Sequence, residues 1–303
     1  MFVSIALAAA AQLLPIVVPL GKPKVIEQPR APIETSGPLF ASRCKDWDEY
    51  DNPAPPVRIF GNTYLVGTCG ISSILITDPA GDILIDGGTE QDADLIVANI
   101  RELGFQPTDV KYLLHSHEHF DHVGGLAKLQ RLTGAQLIAS APAAEALGSG
   151  LPNEADPQAE LKQSFPPAHV ERIVRDGEQV RLGNNVLTAV ATPGHTPGAL
   201  TWRWGSCQDG ICRQIVYADS LTPVSGDHYR FSDHPAYLAA YRASIARVAA
   251  LDCDILLTPH PSASDMVKRL LQAKVENPNA CKDYAASLTK QLDERLAKEK
   301  GEE

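Results

Sequence analysis

His117-Glu118-His119-Phe120-Asp121-His122 places three imidazoles and the Asp121 carboxylate within six residues, a density with few explanations other than metal binding. The stretch points to a zinc hydrolase. If residues 111–116 continue as a strand, alternation sends His115, His117 and His119 to one face, opposite Leu114 and Ser116. Two of the three can share a metal, and His115 is read as packing or as support for a ligand. Beyond the cluster, Val123, Leu126 and Leu129 recur at helical spacing, so a helix is expected over Val123 to Leu132. A strand that breaks into a helix start would turn Asp121 and His122 toward a second metal, with Asp121 also suited to cap the helix.

Two metals need ligands from elsewhere in the chain. His195 lies in Thr192-Pro193-Gly194-His195-Thr196-Pro197-Gly198, where paired Pro-Gly units mark a loop between apolar segments. His260 follows the apolar run Ile255-Leu256-Leu257-Thr258 between Pro259 and Pro261. Both sit at the ends of expected strands, where sites are built on a rigid sheet. His169, His228 and His234 lack such a setting and read as ordinary surface or core residues.

The cluster His-x-His-x-Asp-His, followed by isolated histidines in Pro-Gly-His-Thr-Pro-Gly and Thr-Pro-His, resembles the metallo-β-lactamase superfamily, and within it subclass B3. Gly67-Thr68-Cys69-Gly70-Ile71-Ser72, Leu84-Ile85-Asp86-Gly87-Gly88, Tyr217-Ala218-Asp219-Ser220-Leu221-Thr222 and Thr258-Pro259-His260-Pro261-Ser262 carry the same likeness over nearly all of the chain after about residue 44. The resemblance implies that His117, His119 and His195 hold one zinc and that Asp121, His122 and His260 hold the other. Three protein ligands per ion leave room for a shared water with a pKa near neutrality. A structural zinc is instead saturated by four ligands rich in cysteine, and the chain has no Cys-x-x-Cys pair.

Asp121 is the expected catalytic residue, holding the attacking hydroxide in place. Ser220 and Thr222 resemble a hydroxyl pair that binds the substrate carboxylate, with Gln158 and Trp47 on flanking loops. Read without the resemblance, the two hydroxyls are strand-end residues, Trp47 packs near Cys44, and Asp86 is a turn residue before Gly87-Gly88. The implied activity is hydrolysis of the amide bond of penicillins, cephalosporins and carbapenems, conferring resistance to these antibiotics. A thioester or lactone hydrolase of the same fold is the rival. Many such enzymes bridge both metals with a carboxylate near this point, and Asp219-Ser220 offers both side chains. A zinc-storage protein would leave open coordination positions unexplained. A serine β-lactamase is suggested only by Ser42-Arg43-Cys44-Lys45, with neither Ser-Asp-Asn nor Lys-Thr-Gly following.

At 303 residues and 44% hydrophobic content the chain can bury a full core. A formal charge of −10 without a Lys/Arg cluster argues against nucleic acid and for a small-molecule substrate. No segment signals an obligate partner, and a monomer is expected. Residues 1–21, apolar and small up to Leu20, read as an export signal to the periplasm, with residues 22–303 as one catalytic domain and no stable membrane association after cleavage. The absence of Lys or Arg before Lys22 is atypical and leaves a retained anchor as the alternative, which Pro15 and Pro19 weaken. Six cysteines suit an oxidising compartment. A bridge across the Cys207–Cys212 hairpin is geometrically easy, and the resemblance implies Cys44–Cys69 and Cys253–Cys281.

The element order suits an αββα sandwich of two mixed β-sheets flanked by helices, the fold the resemblance implies. Hairpins are expected at Asp78-Pro79-Ala80-Gly81 and Gly183-Asn184. A helix is expected from Asp92 to Leu103 with a Thr89/Asp92 capping box and a stop at Gly104. Another carries Leu238, Tyr241, Ile245 and Val248, and a last one Leu288, Leu292 and Leu296, followed by a fraying Lys/Glu-rich end.

Overall fold

The computed structural model describes residues 36–301, so the expected signal at residues 1–21 lies outside the described residues. Strands β1 (Val57–Phe60), β2 (Thr63–Leu65), β3 (Ile74–Ile76), β4 (Asp82–Ile85), β5 (Val110–Leu114), β6 (Gln136–Ala139) and β7 (Val170–Ile173) form one sheet in sequence order. It is antiparallel up to β4 and parallel from β4 onward. The second sheet runs β12 (Ile255–Leu257), β11 (Ile211–Tyr217), β10 (Leu200–Gln208), β9 (Asn185–Ala191) and β8 (Gln179–Leu182), with only β11–β12 parallel. Both expected hairpin turns are present, and three disulfides pair Cys44–Cys69, Cys207–Cys212 and Cys253–Cys281.

The apolar strand runs are explained by burial on both faces. Ile74, Ile76, Ile83, Ile85 and Leu114 point to the second sheet, meeting Leu187, Trp202, Ile215, Tyr217 and Ile255. Their neighbours Leu75, Leu84 and Leu113 point outward to helix α2 (Asp92–Glu102) and the helices that follow β5 and β6. Ala93, Ile96, Val97 and Ile100 give α2 its buried stripe at helical spacing. On the far side, α6 (Pro235–Ala249) and α8 (Ala280–Lys300) cover the second sheet through Tyr241, Ile245, Val248, Tyr284, Leu288 and Leu292. The remaining helices are α1 (Gly37–Arg43), α3 (Phe120–Val123), α4 (Leu126–Thr133), α5 (Ala141–Ser149) and α7 (Met266–Leu271). The layers are those of the expected αββα sandwich.

Local expectations need correction at four places. The helix expected over Val123 to Leu132 is two helices, α3 and α4, broken at Gly124-Gly125. There the chain is too close to a neighbouring turn for side chains: a Cβ on Gly125 would lie 2.2 Å from the Gly87 carbonyl oxygen. Because α3 starts at Phe120, His119 occupies the cap position and Asp121 sits in the first turn rather than capping it. Of the Thr89/Asp92 box only one half forms, the Asp92 carboxylate accepting the Thr89 N–H at 2.8 Å. The Lys/Glu-rich stretch after Leu296 continues the helix, α8 running to Lys300, and Glu299 there accepts the N–H groups of Phe231 and Ser232. Among the described residues no helix is long and apolar enough to cross a membrane.

Asp82, at the start of β4, is buried, and burial raises its carboxyl to about 6, with the nearby carboxylates of Asp109 and Asp78 adding to it against the Asp78 N–H bond and Lys111. A carboxyl raised on folding contributes stability that is full below its unfolded pKa and is lost as pH rises through about 6. Asp82→Asn should therefore raise Tm at pH 8 and leave it unchanged at pH 4, as read by calorimetric melting; equal Tm shifts at both pH values would exclude this titration as the cause.

Candidate metal centre

β5 ends at Leu114, and the chain then leaves the sheet. The strand alternation expected through His119 therefore stops, and His115 separates from the other two. Its Nε2 accepts the Ser140 N–H at 3.2 Å and its carbonyl accepts the Trp202 indole N–H at 2.8 Å, so it ties elements together and is no ligand. His117 and His119 instead meet His195, from the β9–β10 loop, with ring centroids 4.7 to 5.0 Å apart and one potential ligand atom from each within 4.8 Å of the others.

Beside them, His122 Nε2 is 3.3 Å from Asp121 Oδ2 and 3.4 Å from His260 Nε2, and the last two atoms are 3.6 Å apart. Atoms bound to one tetrahedral ion at about 2.0–2.1 Å lie about 3.4 Å from each other, so this spacing fits a shared cation. Three histidine and carboxylate side chains do not otherwise converge in a buried place without cost. His117 Nε2 is buried without a hydrogen-bond partner, as expected for an atom reserved for a metal.

Each of these histidines faces an oxygen with its other ring nitrogen. His117 Nδ1 lies 2.9 Å from Asp219 Oδ1, and His119 Nε2 3.0 Å from Asp156 Oδ2. His195 Nδ1 is 2.9 Å from the Thr222 carbonyl oxygen, His260 Nδ1 3.2 Å from that of Gly70, and His122 Nδ1 3.5 Å from Asp86 Oδ2. Such partners fix the ring and leave the inward nitrogen free to coordinate. Burial, aided by the other histidines, pushes His117 well below its usual range, His195 to about 3 and His260 to about 4, so their lone pairs are available at neutral pH. Burial also opposes a charge on His122, but Asp121 and Asp86 outweigh it and raise that imidazole to about 10.

Asp86 is far more than a turn residue. It is fully buried with φ +64°, accepts the Ser116 N–H at 2.6 Å, and takes the Ser116 and Tyr217 hydroxyls at 2.7 Å each. Glu118, inside the motif, turns away from the cluster. Its carboxylate accepts Thr196 Oγ1 at 2.7 Å and the Gly198 N–H at 2.8 Å, tying down the loop that carries His195. Asp219 stands behind His117 and takes the Leu221 N–H at 3.3 Å rather than facing the second triad.

His119, Asp121, His195 and His260 line a cavity of about 560 Å³ together with Trp47, Gln158, Ser220 and Thr222. Ser220 Oγ is buried without a hydrogen-bond partner. Trp47 is 79% exposed, so it stands at the cavity mouth instead of packing near Cys44. His169, His228 and His234 are all exposed, as expected. Ser42 is exposed and donates to the Leu39 carbonyl, so Ser42-Arg43-Cys44-Lys45 forms no nucleophile site.

A sequence profile of the metallo-beta-lactamase superfamily matches residues 66–260, and the chain belongs to that superfamily. The solved structure of MIM-2 metallo-beta-lactamase superposes with a TM-score of 0.84 at 54% identity, covering 87% of this chain and 98% of that one. MEM-A1, a subclass B3 metallo-beta-lactamase isolated from a soil metagenome library, gives 0.81 at 44% identity over 84% and 100%. A hydroxyacylglutathione hydrolase of Methylobacterium sp. (strain 4-46) is 31% identical over 207 residues, 68% of each chain. The first two curated relatives are spanned less fully, over 48% and 34% of their lengths. The subclass B3 resemblance read from the sequence is borne out by the structural neighbours.

Asp86→Ala should cost about 3 kcal/mol of stability, because the buried Ser116 N–H loses its acceptor and the Tyr217 and Ser116 hydroxyls are left only the longer contacts to the Ser72 carbonyl at 3.4 Å and His117 Nδ1 at 3.3 Å. It should also weaken metal binding about 10–100-fold through His122. Urea unfolding and metal titration check the pair; undiminished metal affinity would show that His122 needs no partner.

Proposed function

We propose that the protein is an exported, periplasmic, zinc-dependent β-lactamase of subclass B3, hydrolysing penicillins, cephalosporins and carbapenems as a monomer with two zinc ions per chain. The observation that carries this reading is the pair of ligand sets, each with open sides toward one cavity and each histidine backed by an oxygen. His117, His119 and His195 would hold one ion and Asp121, His122 and His260 the other. When bound, zinc supplies a water acidified to near neutrality and a Lewis acid for a carbonyl oxygen.

The chain's own residues do the rest. Asp121, at the junction of the two triads, accepts a proton or hydrogen bond from the attacking water and fixes its approach. Among the described residues no Lys or Arg lines the cavity, so a substrate carboxylate is met by the Ser220 and Thr222 hydroxyls, with Gln158 also in the wall. Glu118 and Asp156 hold the ligand loops, and the buried walls keep the geometry fixed before substrate arrives. The placement of Asp219 behind His117 favours this reading over a thioester or lactone hydrolase with a bridging carboxylate. The three disulfides support export.

Purified zinc-loaded protein should hydrolyse a penicillin, a cephalosporin and a carbapenem, lose turnover with EDTA and regain it with zinc. A folded, zinc-loaded protein that leaves all three intact while cleaving a thioester or lactone would replace this reading with the rival. Asp121→Ala should lower turnover by about 100-fold or more while the far-ultraviolet circular dichroism spectrum stays that of the folded parent.

A further inference from the structure

Between β11 and α6 the chain turns through Asp219-Ser220-Leu221-Thr222, and Leu221 there has φ +44°, a left-handed conformation that L-residues with bulky side chains rarely adopt. Leu221 is fully buried, so neither solvent nor a flexible loop explains the conformation. It gives the two neighbours separate tasks. The Thr222 carbonyl oxygen reaches His195 Nδ1, while Ser220 Oγ remains without a protein partner beside the cavity.

Two tyrosine hydroxyls grip this arc, and Tyr284 also lines the cavity beside it. Tyr284, on α8, donates to the Ser220 carbonyl at 2.6 Å and lies 3.0 Å from that of Asp219. Tyr241, on α6, donates to the Leu221 carbonyl at 2.7 Å. The Tyr241 ring also packs on Gly194, next to His195, where a Cβ would lie 2.4 Å from the ring. Burial pushes both phenols upward, keeping them protonated and able to donate.

We propose that Tyr284 and Tyr241 are positioning residues that brace the Ser220–Thr222 arc, holding Leu221 left-handed so that the Ser220 hydroxyl stands as an anchor for a carboxylate on the ligand. This rests on the reading of Ser220 given above, and adds the residues that set its aim. The two helices of the outer layer thereby determine how the cavity meets an anionic substrate.

Two small thiols test the brace without relying on turnover: mercaptoacetate, which carries a carboxylate, and 2-mercaptoethanol, which does not. Their binding to zinc-loaded parent, Tyr284→Phe, Ser220→Ala and the double variant is measured by calorimetry. Tyr284→Phe should weaken mercaptoacetate about fivefold to tenfold, change 2-mercaptoethanol less than about twofold, and cause no further loss in the Ser220→Ala background. Tyr241→Phe should act in the same sense and carries the test if Tyr284→Phe does not load zinc. Equal weakening of both thiols, or an undiminished effect of Tyr284→Phe without Ser220, overturns the proposal. Failure of the parent to hydrolyse β-lactams sinks the proposed function but leaves the thiol comparison readable.

Discussion

The site depends on one buried carboxylate. Asp86 lies at the end of β4 in the first sheet, yet it takes the hydroxyl of Tyr217 from β11 in the second. With its remaining capacity it holds Ser116, the residue from which the metal-ligand loop departs, and backs His122. A single side chain thus joins the two sheets at the edge where the ligands gather. Its positive φ is tolerated because three hydrogen bonds over-determine its position.

The candidate ligands were legible in the sequence because their chemistry is concentrated. Three histidines and an aspartate stand in one short run, and His195 and His260 sit in Pro-rich loops at strand ends. The layered fold was legible for a related reason: apolar runs such as Ile74-Leu75-Ile76 require cover on both faces. What the sequence hid are the partners of those ligands. Asp156 stands 37 residues from His119, and Glu118 is 78 residues from Thr196. Nothing in the spacing of either carboxylate signals the contact, because it is made by tertiary packing. The same holds for Tyr241, expected on the buried face of its helix, and for Tyr284, which the spacing of the last helix did not single out; both hydroxyls turn to the Ser220–Leu221 carbonyls.

Strand alternation carried from β5 through His119 and a helix begun at Val123 fail for one physical cause. Both extrapolations cross the place where the chain must pass close to the Gly87-Gly88 turn. The Gly87 N–H bonds to the His122 carbonyl at 2.7 Å and the Gly125 N–H to the Gly88 carbonyl at 3.1 Å. These tertiary bonds override the local period and shorten α3 to a single turn. That turn is what brings the adjacent residues Asp121 and His122 toward the same point, which neither a continued strand nor a long helix would achieve.

Each triad takes two members from the segment after β5 and one from a loop of the second sheet, His195 or His260. A cation shared by such a set links the sheets a second time, beside the Asp86 connection. Metal binding and sheet packing are then parts of one equilibrium: an ion that binds only the assembled set stabilises the folded chain by its own binding free energy. Burial in the same packed interior lowers His117, His195 and His260, favouring the uncharged imidazole whose lone pair can coordinate metal. The packing that builds the sandwich therefore prepares the ligands, and the partners behind them determine which nitrogen each presents.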